Sequence, residues 1–131
     1  MSIDTELKCK ILLVGDNKKA LSVLQEVFTT EGFEAHSELD NEDLANIRNR
    51  YSPDLVILDT FLYPSRTTDK IISEFSGEKT GTGVQVIVLA GQIGRELMAS
   101  ENVIHKPFAM KELIRNVVTI CPIIFKKTRV E

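Results

Sequence analysis

The sequence has no tryptophan, only two cysteines and four prolines among its 131 residues. Neither cysteine belongs to a CxxC pair, which argues against a zinc site or a disulfide framework. Both sit among apolar neighbours, so Cys9 and Cys121 are predicted to be small buried hydrophobic side chains in a reducing compartment. No apolar run approaches the roughly 18 residues of a membrane span, and the polar, acidic first six residues do not resemble a secretory signal. The sequence therefore predicts a cytoplasmic protein without a membrane segment.

The remaining composition is that of one globular domain. Hydrophobic residues make up 43% and charged residues 27%, and the formal net charge is −3, which is typical of a globular chain and offers no general surface for polyanions. We expect an N-terminal extension at 1–7, a domain at 8–120 and a tail at 121–131. The tail is apolar and then basic; packing on the domain is favoured over a partner contact. Nucleic-acid binding is not expected, because its three positive charges lack interleaved aromatics.

Short apolar runs alternate with segments of helical periodicity along the whole chain. The runs at 10–14, 55–58, 84–89 and 103–104 predict buried strands, and 33–37 predicts a strand with one exposed face. Helical spacing follows each of them, weakly around 95–100. A βα unit repeated five times predicts an α/β fold: a doubly wound, five-stranded parallel sheet between two layers of helices.

Two aspartates follow buried strands of this predicted sheet. Ligands of doubly wound sheets bind beyond the carboxyl ends of the strands, which indicates the region of Asp16 and Asp59. Close carboxylates repel unless a cation or proton lies between them, and Mg²⁺ suits such a pair. Lys106 follows the last strand and would reach the same edge. Singly, each has an ordinary explanation: Asp16 as a helix cap, Asp59 as a strand end and Lys106 as a solvated side chain.

Together these residues resemble a known family, the receiver domain of two-component response regulators. The resemblance spans residues 8–120 and is carried by KILLVGDN at 10–17, PDLVILD at 53–59, VIVL at 86–89, KPF at 106–108, and Glu112-Leu113. It implies the flavodoxin-like version of the predicted fold, and a regulator in phosphorelay signalling rather than an enzyme.

The resemblance also implies roles for particular residues. Asp59 would accept a phosphoryl group, Lys106 would contact the phosphoryl oxygens, and Asp16, Asp59 and the backbone carbonyl of Phe61 would hold Mg²⁺. The Lys106-Pro107 bond is commonly cis in such domains. A histidine kinase or phosphotransfer protein is the expected donor, followed by an unknown output protein; a homodimer is also compatible with the resemblance.

Three positions depart from the family pattern. Gly15 stands where the family has an additional acid, so the metal site is expected to be weakened. Ala90 replaces a Thr or Ser whose hydroxyl binds the phosphoryl group. Val103 replaces an aromatic residue and should leave a less filled pocket. The chain between Ala90 and Lys106 is also short by about a turn and a half, so the fourth helix should be short, displaced or partly unwound.

These departures leave other interpretations open. The chain could be a pseudo-receiver, which is a protein-docking module without phosphorylation, instead of a phosphoryl-accepting receiver with an atypical switch. A nucleotide- or flavin-binding domain is disfavoured, because the turn after the first strand is not a glycine-rich phosphate cradle.

Overall fold

A computed structural model of the protein describes residues 9–76 and 83–121. The predicted extension at 1–7, most of the connection predicted at 77–83 and the tail beyond Cys121 lie outside the described residues. The domain bounds therefore remain a prediction. No helix within the two described ranges is long and apolar enough to cross a membrane.

The described residues form five strands and four helices. In chain order these are β1 (Lys10–Gly15), α1 (Lys18–Thr30), β2 (Glu34–Leu39), α2 (Leu44–Tyr51), β3 (Leu55–Tyr63), α3 (Arg66–Ser76), β4 (Gln85–Ile93), β5 (Val103–His105) and α4 (Met110–Ile120).

The five strands make one parallel sheet in the order β2-β1-β3-β4-β5. Side chains of α1 and α4 share one hydrophobic cluster with one face of the sheet, and those of α2 and α3 share a second cluster with the other face. Alternate residues of β1 enter the two clusters, because successive side chains of a strand point to opposite faces. This is the predicted doubly wound α/β sheet between two layers of helices.

Short polar side chains begin three of the helices. The Asn17 side chain accepts a hydrogen bond from the Ala20 N–H at 3.0 Å, and Asp43 accepts one from Asn46 at 3.2 Å. The Ser65 hydroxyl accepts one from the Thr68 N–H at 3.1 Å. These bonds satisfy amide groups that the first helical turn leaves unpaired. Helix α3 therefore begins at Arg66, within a stretch whose sequence predicted a loop.

The helical stretch predicted around 95–100 is wrong. Strands β3 and β4 run further than expected, to the pair Tyr63↔Ile93, and only residues 94–102 remain to reach β5, whose first residue pairs with Val88. The chain must return over roughly 17 Å at about 3.3 Å per strand residue. About nine helical residues would span only about 13–14 Å, so this segment is extended instead. The expected unwinding of this region is thus complete.

The interpretation of the cysteines as unpaired is also wrong. Cys9 and Cys121 are buried as predicted, but they form a disulfide with their Cα atoms 6.1 Å apart, a usual separation. The reason is topological: α4 packs on the sheet face that also carries α1, and its end meets the start of β1. No local pattern shows this proximity, because the two cysteines are 112 positions apart.

Candidate functional site

Asp59 lies on the central strand, at the point where β1 stops pairing with it. The last pair of the β1–β3 ladder is Gly15↔Asp59, so the first residue after β1, Asp16, begins its loop beside Asp59. The last pair of the β4–β5 ladder is Ala90↔His105, which puts Lys106 at the same edge. The structure therefore brings the strand ends that carry the three predicted residues to one edge of the sheet.

Lys106 and Asp59 form an ion pair in which the Lys106 Nζ contacts the Asp59 Oδ1. The Asp59 side chain is only 13% exposed and the Lys106 side chain 36% exposed. The Lys106 backbone is fixed as well, because its N–H donates to the Ala90 carbonyl at 2.8 Å. The lysine thus neutralises a carboxylate that is mostly withdrawn from water, where charge pairing has more effect than on an open surface.

Asp16 is exposed and has a second acidic neighbour, Asp40. The Asp40 N–H donates to the Gly15 carbonyl at 2.8 Å, which holds the end of β2 beside the end of β1. Partial burial raises the pKa of Asp40, repulsion from Asp16 raises it further, and a hydrogen bond from the backbone opposes both effects. The edge is therefore more acidic on its β2 side than the sequence indicated, since Asp40 was expected only to cap a helix.

The side chains at this edge do not form a dense metal cluster. Within the described ranges no group of three or more histidine, cysteine, aspartate or glutamate side chains could hold a metal ion. The remaining predicted donor, the Phe61 carbonyl oxygen, lies on β3 and faces Gly91, 3.1 Å from the position that a Cβ there would take. Oxygen donors of the type that Mg²⁺ prefers are present as Asp16, Asp59 and this carbonyl.

Gly15 is required by the close approach of β1 and β3. A Cβ at this position would lie 2.9 Å from the Asp59 carbonyl oxygen and 3.2 Å from a Leu21 methyl carbon. The first of these atoms belongs to the backbone of the central strand and cannot move by itself. An acidic side chain at position 15 would have to push the two strands apart.

We expect Gly15→Ala to lower the free energy of unfolding by about 1–3 kcal/mol, the usual cost of overpacking a close-packed site. Urea denaturation followed by circular dichroism measures this change. Gly94→Ala is the matched control, because a Cβ there meets no atom nearer than 3.8 Å. Equal stability of the two variants would contradict the steric explanation of Gly15.

Solved structures with this arrangement of strands are receiver and pseudo-receiver domains. Chemotaxis response regulator CheY4 of Vibrio cholerae is 16% identical, with a TM-score of 0.69, 87% of this chain covered and 99% of the other. A chain from the complex of histidine kinase ThkA with response regulator protein TrrA is 24% identical, with a TM-score of 0.63 and coverages of 87% and 98%. The chain has the receiver-domain fold. The pseudo-receiver domain of the CikA protein shares it too, at 17% identity, a TM-score of 0.58 and coverages of 86% and 97%. No family model matches the sequence.

Position 90 of this receiver fold has no hydroxyl to offer the site. Ala90 is fully buried at the end of the β4–β5 ladder. Its carbonyl accepts the hydrogen bond from the Lys106 N–H, so its backbone still positions the lysine. The Lys106-Pro107 bond is cis, as the resemblance implied.

The space expected beside Val103 is present. Val103 lines a cavity of about 300 Å³ on the sheet face that also carries α2 and α3. One wall is Tyr63, a buried side chain from the extension of β3. Sequence reasoning missed this tyrosine, because β3 was expected to end at Asp59. The aromatic residue at this cavity therefore comes from the strand that carries Asp59 and not from β5.

Proposed function

We propose that the chain is a phosphoryl-accepting receiver of two-component signalling, with Asp59 as the acceptor. An Asp59 carboxylate oxygen attacks phosphorus, the bond from phosphorus to the donor breaks, and the electron pair leaves with the donor. The product is an acyl phosphate on Asp59. The expected donor is a phosphohistidine on a histidine kinase or phosphotransfer protein, whose imidazole nitrogen is the leaving atom.

The observation that carries this proposal is the ion pair between Asp59 and Lys106 at the carboxyl end of the central strand. A carboxylate held here, mostly buried but reachable from the edge of the sheet, is a suitable nucleophile. Lys106 would lose one anionic partner and gain another, because the transferred group carries its own negative oxygens. Positioning and charge neutralisation are the main contributions that a protein makes to phosphoryl transfer.

Asp16, Asp59 and the Phe61 carbonyl are the residues that would hold Mg²⁺. When bound, the ion supplies positive charge that compensates the phosphoryl oxygens. The close approach at Gly15 leaves no room for a further carboxylate from β1. We therefore expect Mg²⁺ to bind more weakly than in a site with that additional acid.

Phosphorylation is tested by intact mass spectrometry after incubation with acetyl phosphate, with and without Mg²⁺. We expect a gain of one phosphoryl group that requires Mg²⁺, is removed by hydroxylamine and is absent in Asp59→Asn. Asp69→Asn is the matched control, since Asp69 is an exposed carboxylate on α3. Labelling of Asp59→Asn to the wild-type extent would contradict the assignment of Asp59.

A pseudo-receiver is the second candidate, and two observations favour it. Ala90 lacks the hydroxyl that the resemblance leads one to expect, and an extended segment stands in place of the fourth helix. Such a module would recognise a signalling partner without any covalent change. Absence of labelling under conditions that phosphorylate an ordinary receiver would favour this candidate. Asp16, Asp59 and Lys106 would then serve only the structure.

A further inference from the structure

Beyond Asp59, the central strand continues as part of a two-stranded arm. Pairing with β1 ends at Asp59 and pairing of β4 with β5 ends at Ala90. Residues 60–63 and 91–93 therefore extend past the rest of the sheet and pair with each other. The arm ends at Tyr63, four positions after Asp59 on the same strand. Any displacement of the strand at Asp59 is transmitted along it to Tyr63.

Tyr63 binds the segment 94–102 near both of its ends. The Gly94 N–H donates to the Tyr63 carbonyl at 2.8 Å, and the Tyr63 hydroxyl donates to the Glu101 carboxylate. Arg95 completes the contact: its guanidinium lies 5.6 Å from the centre of the Tyr63 ring and donates to both Glu101 oxygens at 2.7 and 2.8 Å. We call Tyr63, Arg95 and Glu101 the clasp.

The clasp provides most of the contacts that hold this segment. Glu101 also accepts a hydrogen bond from the Met98 N–H at 2.8 Å, so one carboxylate gathers four donor contacts. These donors hold the pKa of Glu101 well below its usual range, with Arg95 the largest cause. Leu97 is the one apolar residue of the segment that packs on the core beside α2 and α3; Met98 is exposed. Little apolar burial therefore opposes opening once the clasp is broken.

Beneath the clasp lies the cavity of about 300 Å³ described above. Its apolar lining comes from the strands and from α3, namely Ile72, Val84, Val86, Val88 and Val103, while Glu101 and Asn102 line its polar side. Opening the segment would uncover this part of the sheet. At its far end, Asn102 accepts a hydrogen bond from the Val88 N–H at 2.9 Å, and the chain then runs through β5 to Lys106. Both ends of the segment are thus connected to the Asp59–Lys106 pair.

We propose that residues 94–102 are a cover over this cavity, that the clasp holds the cover closed, and that the charge on Asp59 governs how often it opens. Loss of the Asp59 charge releases Lys106 and loosens the end of the cover that leads into β5. The proposal rests on the proposed function only for the natural signal, which would be phosphorylation of Asp59.

The test is amide hydrogen exchange at Gly94 and Met98, measured by NMR without any phosphodonor. Tyr63→Phe removes one hydrogen bond to a charged group, so we expect exchange to accelerate about ten- to one-hundred-fold. Tyr51→Phe is the matched control, because its hydroxyl binds a glutamate, Glu38, in another part of the sheet. Equal exchange at these amides in the two variants would overturn the clasp.

The coupling to Asp59 is tested by a double-mutant cycle. Asp59→Asn should accelerate exchange about threefold or more, and the double variant with Tyr63→Phe should exchange no faster than Tyr63→Phe alone, since coupled sites are not additive. No effect of Asp59→Asn, or full additivity, would overturn the coupling. Because no phosphodonor is used, this result is independent of whether Asp59 accepts a phosphoryl group.

Discussion

Reduction of the disulfide between Cys9 and Cys121 is expected to lower the free energy of unfolding by about 4–5 kcal/mol. The bond closes a loop of 112 positions, and in the chain-entropy account a loop of this length restricts the unfolded chain by about that amount. This is a large share of the ordinary stability of a domain, which is about 5–15 kcal/mol. Urea denaturation with and without a phosphine reductant, followed by circular dichroism, measures the difference.

The control for this experiment is the double variant Cys9→Ala with Cys121→Ala. Its stability should not respond to the reductant and should lie near that of the reduced wild type. Thiol titration of the denatured, unreduced protein should find no free thiol. Two free thiols per chain, or identical denaturation midpoints with and without reductant, would contradict a stabilising bond.

Lys106→Met is expected to slow phosphoryl incorporation from acetyl phosphate by about ten- to one-hundred-fold. The variant keeps an unbranched apolar side chain but removes a hydrogen bond to a charged group, worth about 1.5–3 kcal/mol, and about 1.4 kcal/mol corresponds to a factor of ten. The rate is followed by intact mass over time at fixed Mg²⁺. Because Lys106 contacts Asp59 directly, the effect should appear in the transfer step.

Two further variants separate the charge from other effects of the substitution. Lys111→Met removes an exposed lysine on the nearby helix α4 and should leave the rate unchanged. Lys106→Arg keeps the charge but changes its shape and reach, so it should recover only part of the rate. A wild-type rate in Lys106→Met would show that the lysine serves the structure and not the transfer.

The sheet and its edge could be predicted from sequence because both follow from local patterns. Continuous apolar runs identify buried parallel strands, and the carboxyl ends of such strands share one edge. This is sufficient to bring Asp59 and Lys106 together, and the ion pair observed between them agrees with that expectation. The roles of these residues in phosphorylation remain predictions.

The remaining features depend on contacts between distant parts of the chain. Cys9 meets Cys121 only because α4 returns to β1, and Asp40 approaches Asp16 only because β2 lies beside β1. The extension of β3 through Tyr63 is invisible locally, because its residues continue past the apolar run that defines the strand. The helix expected around 95–100 fails for the same reason: a longer β4 leaves too few residues to return as a helix.

The disulfide also determines how the domain carries mechanical load. Cys9 precedes β1 and Cys121 follows α4, so a pull applied between these two residues passes through the S–S bond. The sheet and all four helices lie within the closed loop and bear none of that tension. Once the bond is reduced, the same pull is borne by the packing of β1 and α4. Oxidation therefore separates the tension on this domain from the geometry of its Asp59 edge.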